Sequence, residues 1–120
     1  MTSDKELREQ KIITLSKGCA EALSNKKAED IKIMDLRKVN SYLDFFILAT
    51  GNSLVHCAGL VKEVQKFFHE NSFSGRGKPG ADSGWQILDY DELIIHIFTK
   101  ELREYYQLER LWGDAEFIDF

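Results

Sequence analysis

One uncharged run, Phe45 to Thr50, constrains the fold of this 120-residue chain more than any other segment. Its side chains are apolar at successive positions, so a strand built from it is apolar on both sides. Such a strand must be covered on both faces of its sheet, which places it in the interior rather than at an edge. The run therefore predicts a central strand.

Two amphipathic helices are predicted, one before and one after this strand in the chain. Ser3 and Glu6 have the spacing of a capping box, and the apolar residues that follow recur at helical intervals over about 4 to 25. Ser53 supplies an N-cap for a second helix, whose apolar residues continue to Phe68. Each apolar stripe needs a sheet face against which to bury.

The remaining elements complete a mixed sheet. Ile31 to Leu36 alternates in the way expected of a strand with one buried face, and Trp85 to Asp89 pairs with Leu93 to Phe98 as a hairpin. A last helix begins near Thr99 or Lys100. The order predicts an α/β fold in a single domain, residues 1–120, with a mixed sheet of about four to five strands flanked by helices.

The composition limits which classes of protein this chain can belong to. A hydrophobic content of 43% is ordinary for one soluble domain, and Cys19 and Cys57 are predicted to be reduced and buried on helix faces. The sequence shows neither a basic stretch followed by an apolar run nor an apolar segment near membrane-spanning length, so the expected compartment is the cytoplasm. The pI of about 5.4 disfavours nonspecific nucleic-acid binding.

The C-terminal third is both acidic and aromatic. The segment from Ala81 to Phe120 contains ten Asp and Glu residues and three Lys and Arg residues, so its net charge is about −7. Because the whole chain has a net charge of −4, the first 80 residues have a net charge of about +3. The core is expected to be filled by Phe45, Phe46, Ile47, Phe67, Phe68, Ile87, Ile95 and Ile97, which leaves some of the late rings near the surface. Rings surrounded by one sign of charge favour a basic protein partner.

Other motifs predict no cofactor and no metal. Gly75 to Gly80 matches the glycine pattern of dinucleotide-binding loops, but a helix precedes it and a strand follows, which is the reverse of the required context. Phe73 to Gly84 is therefore interpreted as a loop. The acidic residues of the hairpin turn fit turn chemistry, and His96 is interpreted as a hydrogen-bonded structural residue.

Several blocks in order resemble the ribosomal silencing factor family, also called RsfS or Iojap. The blocks are Asp30-Ile-Lys-Ile-Met-Asp35-Leu-Arg37, Asp44-Phe-Phe-Ile-Leu-Ala-Thr50-Gly-Asn-Ser53-x-x-His56, Trp85-x-Ile-Leu-Asp89-Tyr, Ile94-Ile-His96-Ile-Phe98 and Tyr106-x-Leu-Glu109-x-Leu-Trp112. They extend over about residues 4–113, which leaves 114–120 as a C-terminal tail.

The resemblance implies a fold akin to nucleotidyltransferases without their chemistry, and binding to the fourteenth protein of the large ribosomal subunit. Occupation of that protein would block the small subunit and repress translation under nutrient limitation. The family positions tied to this partner are Trp85 and Tyr106, and the same terminal motif adds Leu108, Glu109 and Trp112.

Three alternatives stay open. One is a nucleotidyltransferase-like enzyme built on Gly51-Asn52-Ser53, although no Asp-x-Asp or Asp-x-Glu pair follows within 30 residues. Another is a direct ribosomal RNA binder, using Lys26, Lys27, Lys32, Arg37 and Lys38. The tail has two destinations, the domain itself or a second copy in a homodimer.

Overall fold

Nine helices and strands make up the part of the chain that the computed structural model describes, residues 3–75 and 84–120. The helices are α1 (Asp4–Asn25), α2 (Leu54–Glu70), α3 (Lys100–Tyr106) and α4 (Leu108–Leu111). The strands are β1 (Glu29–Asp35), β2 (Phe45–Gly51), β3 (Trp85–Tyr90), β4 (Leu93–Thr99) and β5 (Glu116–Ile118). The strands form one sheet in the order β3-β4-β2-β1-β5.

The central position predicted for β2 is confirmed. All seven of its residues are buried, and it lies between β4, which runs parallel to it, and β1, which runs antiparallel. The parallel pairing follows from the hairpin, because β3 starts at the end of the sheet where β2 finishes, runs back antiparallel, and β4 then repeats the direction of β2. The predicted fold class, a mixed sheet flanked by helices, is therefore confirmed.

The two faces of the sheet are covered unequally. On the face that we call the first, α1 and α2 pack over alternate strand residues such as Ile47 and Ile95. On the opposite face, the second, Phe46, Leu48 and Phe98 are covered by the short helices α3 and α4 and by the segment that follows them. The first face receives 22- and 17-residue helices and the second only seven- and four-residue helices.

The single buried face predicted for the strand from Ile31 to Leu36 is wrong. Strand β1 begins earlier, at Glu29, and its adjacent residues Ile33 and Met34 are both buried, one on each face. Because helices cover both faces of the sheet here, alternation ends where β1 passes beneath them. An irregular register between Glu29 and Lys32 precedes this stretch.

The hairpin forms as predicted, with β3 and β4 antiparallel, but one residue in it was assigned wrongly. Ile87 was expected in the core, whereas 47% of it is exposed. Strand β3 is an edge strand, and its residues alternate between a covered first face, with Leu88, and a second face that the short helices reach incompletely. Ile87 points to that second face beside its cross-strand partner His96.

The tail docks on the domain. Residues Glu116–Ile118 form β5, which pairs antiparallel with β1 and places Ile118 against the core of the first face. Phe117, on the opposite side of this strand, stays half exposed. Of the two destinations left open by the sequence, this chain uses the first.

Both cysteines are free and buried, as predicted. Burial raises the pKa of both the Cys19 and the Cys57 thiols, so they remain protonated at neutral pH. Within the described residues, the helices include none with the length and apolar character required to cross a bilayer. The predicted loop at Phe73 to Gly84 falls mostly on residues 76–83, outside the described residues, as do Arg76 and Lys78 of the glycine motif.

An arginine outside the sheet ties α1 to the end of β1. The Arg37 guanidinium donates to both carboxylate oxygens of Asp35, at 2.9 and 2.7 Å, and also to Glu9 of α1. It lies 4.8 Å from the centroid of the Phe45 ring. These hydrogen bonds lower the pKa of Asp35 and raise that of Arg37. Asp35 is therefore in an ion pair with Arg37.

We predict that Arg37→Met lowers the free energy of unfolding by about 1 kcal/mol at pH 7, as befits a partly exposed ion pair. The folded-state pKa of Asp35 is depressed, so its contribution is complete above the ordinary carboxyl pKa and is lost as the pH falls through the folded value. The difference between variant and wild type should therefore shrink toward pH 3. Urea unfolding measured at a series of pH values checks this, and a pH-independent difference would contradict it.

Candidate partner-binding surface

Three rings form a partly exposed aromatic patch where β3 meets α3. We define the aromatic patch as Trp85, Tyr105 and Tyr106. The Trp85 and Tyr106 rings have centroids 4.9 Å apart, and the Tyr106 and Tyr105 rings 5.0 Å apart. Trp85 is half-buried, whereas Tyr106 is 52% and Tyr105 79% exposed. Two of the predicted site residues, 21 positions apart in sequence, thus share one surface.

The patch has a fixed base. Trp85 pairs with Phe98 across the hairpin, and their rings stack with centroids 5.0 Å apart. The indole N–H of Trp85 donates to Nδ1 of His96 at 3.1 Å. His96 in turn stacks on Phe98 and meets Phe46 edge-on at 4.5 Å. The orientation of the Trp85 ring is therefore set by buried neighbours before any partner arrives.

The predicted structural role of His96 is confirmed by these contacts. Because Nδ1 accepts the indole hydrogen bond, the imidazole must be neutral and carry its proton on Nε2. Only 5% of His96 is exposed, and this burial lowers its pKa to about 4. Among the described residues, Nε2 has no hydrogen-bond partner, so nothing there compensates a charged imidazolium.

We predict that His96→Phe removes a pH dependence of stability. The folded pKa of His96 lies below the ordinary 6.5, so the unfolded state binds the proton first as the pH falls. Wild type should lose up to about 3 kcal/mol between pH 6.5 and pH 4 from this group.

The phenylalanine variant keeps the ring stack but loses the acceptor for Trp85. It should be less stable at pH 7 by about 1 to 3 kcal/mol and show a flatter profile below pH 6.5. Urea unfolding with tryptophan fluorescence measures both quantities. His69→Gln, at an exposed position on α2, is the matched control and should keep the wild-type profile. If the free energy of unfolding depends on pH in the same way for His96→Phe and wild type, the lowered pKa of His96 is refuted.

The end of the predicted terminal motif turns inward. Gln107 adopts a left-handed backbone, φ 47° and ψ 53°, which ends α3 and begins α4. This reversal brings Leu108 and Trp112 against the core of the second face, where both are partly buried. These two predicted site residues therefore support the surface from beneath and expose only part of their area.

Glu109, the remaining predicted site residue, has an intramolecular partner. Its carboxylate accepts from Nε of Arg103 at 2.7 Å. Arg103 is 7% exposed and also donates to Oγ1 of Thr50, at 2.8 Å, and to the carbonyl oxygen of Asp30. A single buried guanidinium thus links α3, α4, β2 and the irregular part of β1. Glu109 compensates this buried cation and so helps hold the two short helices in place.

A double-mutant cycle tests this link. Arg103→Met should cost about 3 kcal/mol of unfolding free energy, because three acceptors lose their donor in a mostly buried site. Glu109→Gln should cost about 1 to 2 kcal/mol. The double variant should be little worse than Arg103→Met alone, since the second change has no ion pair left to remove. Chemical denaturation of the four proteins gives the coupling, and strict additivity would contradict it.

Sequence reasoning missed part of the exposed apolar surface. Leu111 of α4 is 70% exposed and Tyr105 of α3 is 79% exposed, but neither is among the predicted site residues. Their adjacency to Tyr106 and Trp112 in the chain was the available signal. The side of each short helix that faces solvent depends on the change of chain direction at Gln107. No periodic pattern in the sequence predicts that change.

A cation lies beside the Gly51-Asn52-Ser53 turn on which the nucleotidyltransferase alternative depends. The Gly51-Asn52-Ser53 turn is present, but the Ser53 side chain caps α2 by accepting from the amide of His56. Neither β2 nor β4 carries an Asp or Glu, and the Arg103 guanidinium lies against Thr50 at the end of β2. Carboxylates that hold Mg²⁺ are thus absent from these two strands, and a positive charge stands beside the turn.

The lysines and arginine proposed for RNA contact do not act as one group. Arg37 and Lys38 are in ion pairs, with Asp35 and with Glu116 respectively. Lys26 lies elsewhere, in a cavity of about 330 Å³ with Lys62, Lys66 and Glu63. Two of the five cations are therefore paired with carboxylates, and Lys26 lies apart from them beside two other lysines.

No cluster of three or more His, Cys, Asp or Glu side chains suited to a metal ion occurs in residues 3–75 and 84–120. The acidic hairpin turn behaves as turn chemistry predicts. Oδ1 of Asp89 accepts from the amide of Asp91, at 2.9 Å, and Asp91 takes the positive φ of 65° that the tight turn needs.

Fold and surface together describe a small α/β protein whose distinctive feature is a preformed aromatic patch at one corner of a mixed sheet. Residues 9–120 match the family model described as ribosomal silencing factor during starvation. The chain belongs to the ribosomal silencing factor family.

Individual relatives agree with this assignment. The ribosomal silencing factor RsfS of Bacillus subtilis is 33% identical over 107 residues, covering 88% of this chain and 91% of that protein. A crystal structure of a Chromobacterium violaceum protein superposes with a TM-score of 0.78 at 33% identity, over 83% of this chain and 84% of that one. A mouse protein named mitochondrial assembly of ribosomal large subunit protein 1 is 30% identical over 103 residues, 81% of this chain and 44% of the mouse protein.

Proposed function

We propose that this chain binds the fourteenth protein of the large ribosomal subunit and blocks association with the small subunit, which represses translation when nutrients are limiting. The observation that carries the proposal is the aromatic patch. Its half-buried Trp85 and half-exposed Tyr106 form one contiguous ring surface. Buried aromatic anchors with ordered surroundings are the usual source of binding energy at protein interfaces.

Charge supports a basic partner. The patch lies in the part of the chain that carries about −7, and Glu101 and Glu104 are exposed on α3 beside its tyrosines. Ribosomal proteins are basic as a class, so complementary fields would steer the two surfaces together and speed their encounter. The name of the mouse relative, which refers to assembly of the large ribosomal subunit, supports this subunit as the target.

The mechanism is steric exclusion. A domain with a radius of gyration of 13.8 Å, seated on a protein that the small subunit must contact, occupies the space that the small subunit needs. No bond is made or broken, so the proposal requires no cofactor, no metal and no catalytic residue. A protein that acts on free large subunits is expected to work in the cytoplasm.

We predict that Trp85→Ala and Tyr106→Ala each weaken binding to isolated bacterial large subunits by roughly 30-fold, or about 2 kcal/mol, the cost typical of a hot-spot residue. Inhibition of subunit joining should decline in parallel. Co-sedimentation and light scattering of mixed subunits measure the two effects. Thermal unfolding of each variant verifies that it remains folded.

Val55→Ala is the matched control. Val55 is 84% exposed on α2, which covers the opposite face of the sheet, and its loss should leave binding unchanged. Equal binding by all three variants and wild type would refute the proposed surface. A pull-down from dissociated ribosomal proteins identifies the partner directly, and one dominant small basic band is expected.

Salt dependence separates this proposal from direct RNA binding. A protein interface with a few charge pairs should lose affinity gradually as salt rises, whereas many phosphate contacts produce a steep loss. The nucleotidyltransferase alternative requires binding of ATP with magnesium. Calorimetry measures that binding, and detectable binding would favour the enzyme.

A further inference from the structure

A second exposed apolar residue lies on the same side of β3 as Trp85. Ile87 is 47% exposed and follows Trp85 by two positions, so the two side chains stand about 7 Å apart on one face of the strand. The register confirms this, because Trp85 is opposite Phe98 and Ile87 is opposite His96, the two residues on which the Trp85 ring rests.

The surface around Ile87 is apolar and incompletely covered. Ile94 of β4 and Leu43 before β2 pack against the core of the second face and are only partly buried. Short helices α3 and α4 cover this face from the end near Thr99. The exposed surface thus continues from the aromatic patch along β3 toward the hairpin turn.

Charge around this strip has one dominant sign. Between Trp85 and Thr99 the chain has three acidic residues, Asp89, Asp91 and Glu92, and no Lys or Arg. Arg8 of α1 pairs with Glu92 at 2.6 Å, which leaves the hairpin end with about −2. A second copy of this chain docking here by a twofold axis would set like charges against each other. A basic surface meets no such penalty.

We propose that the partner of the aromatic patch extends along β3 and covers Ile87, placing an apolar side chain on it and basic groups near the hairpin turn. This inference rests on the proposed function and adds to it a specific second contact and the sign of the facing charge. An isolated exposed isoleucine is ordinary on a protein surface. Continuity with Trp85 and the acidic surroundings distinguish Ile87 from such a residue.

Three substitutions test the contact, with isolated bacterial large subunits as the probe. Ile87→Ala should weaken binding by about tenfold, since an apolar contact near an interface centre is lost. Ile87→Glu and Ile87→Lys both remove the apolar contact but differ by two charges. Against a basic partner the lysine variant should bind more weakly than the glutamate variant, and the gap should narrow as salt rises.

Val55 provides the matched control. It is 84% exposed on α2, which covers the first face, so Val55→Glu and Val55→Lys repeat the charge change away from the strip. Both should bind about as well as wild type. Circular dichroism and thermal unfolding verify the fold of each variant, and an exposed edge-strand position should tolerate all three Ile87 changes.

The outcomes distinguish failure of the inference from failure of the proposed function. If Trp85→Ala weakens binding and every Ile87 variant binds like wild type, the partner does not reach Ile87. A glutamate variant that binds more weakly than the lysine variant overturns the basic partner. A dimer in sedimentation that Ile87→Lys dissociates shows a second copy on the strip instead. If Trp85→Ala also leaves binding unchanged, the proposed function itself fails.

Discussion

Two-sided burial of β2 is the constraint on which the rest of this structure depends. All seven of its residues are buried, so the sheet requires cover on both faces. The chain supplies that cover unequally, with 39 helical residues in α1 and α2 over the first face and 11 in α3 and α4 over the second. The second face is therefore closed near Thr99 and open along β3. The aromatic patch and Ile87 lie where the cover ends.

The sequence predicted the elements that have a long periodic signal. Helices α1 and α2, strand β2 and the hairpin were located within a few residues, because each repeats an apolar pattern often enough to be recognised. Three-residue β5 and four-residue α4 are too short for such a pattern. Ile87 was misplaced for another reason, since alternation shows that a strand has two sides but not how far a distant helix covers either one.

The candidate site was predictable in part. Tyr106 and Trp85 were named together, and the structure brings their rings to 4.9 Å because the end of β4 leads directly into α3 beside β3. The Arg103 network was not predictable. Its guanidinium bonds to Thr50 and Asp30, residues 53 and 73 positions away, and only the folded sheet brings them within reach. For this reason the sequence did not show that Glu109 neutralises the buried guanidinium of Arg103.

The same buried contacts would lower the cost of binding at the proposed surface. Association costs the free energy of ordering side chains at the interface, about 0.5 to 1.5 kcal/mol for each one immobilised. Trp85 is already held by His96 and Phe98, and the helix that carries Tyr106 is held by Arg103. Little ordering remains for these rings when a partner arrives. If the proposed surface is correct, we expect the half-buried Trp85 to contribute more binding energy per exposed area than the less restrained Tyr105, although Tyr105 presents more surface.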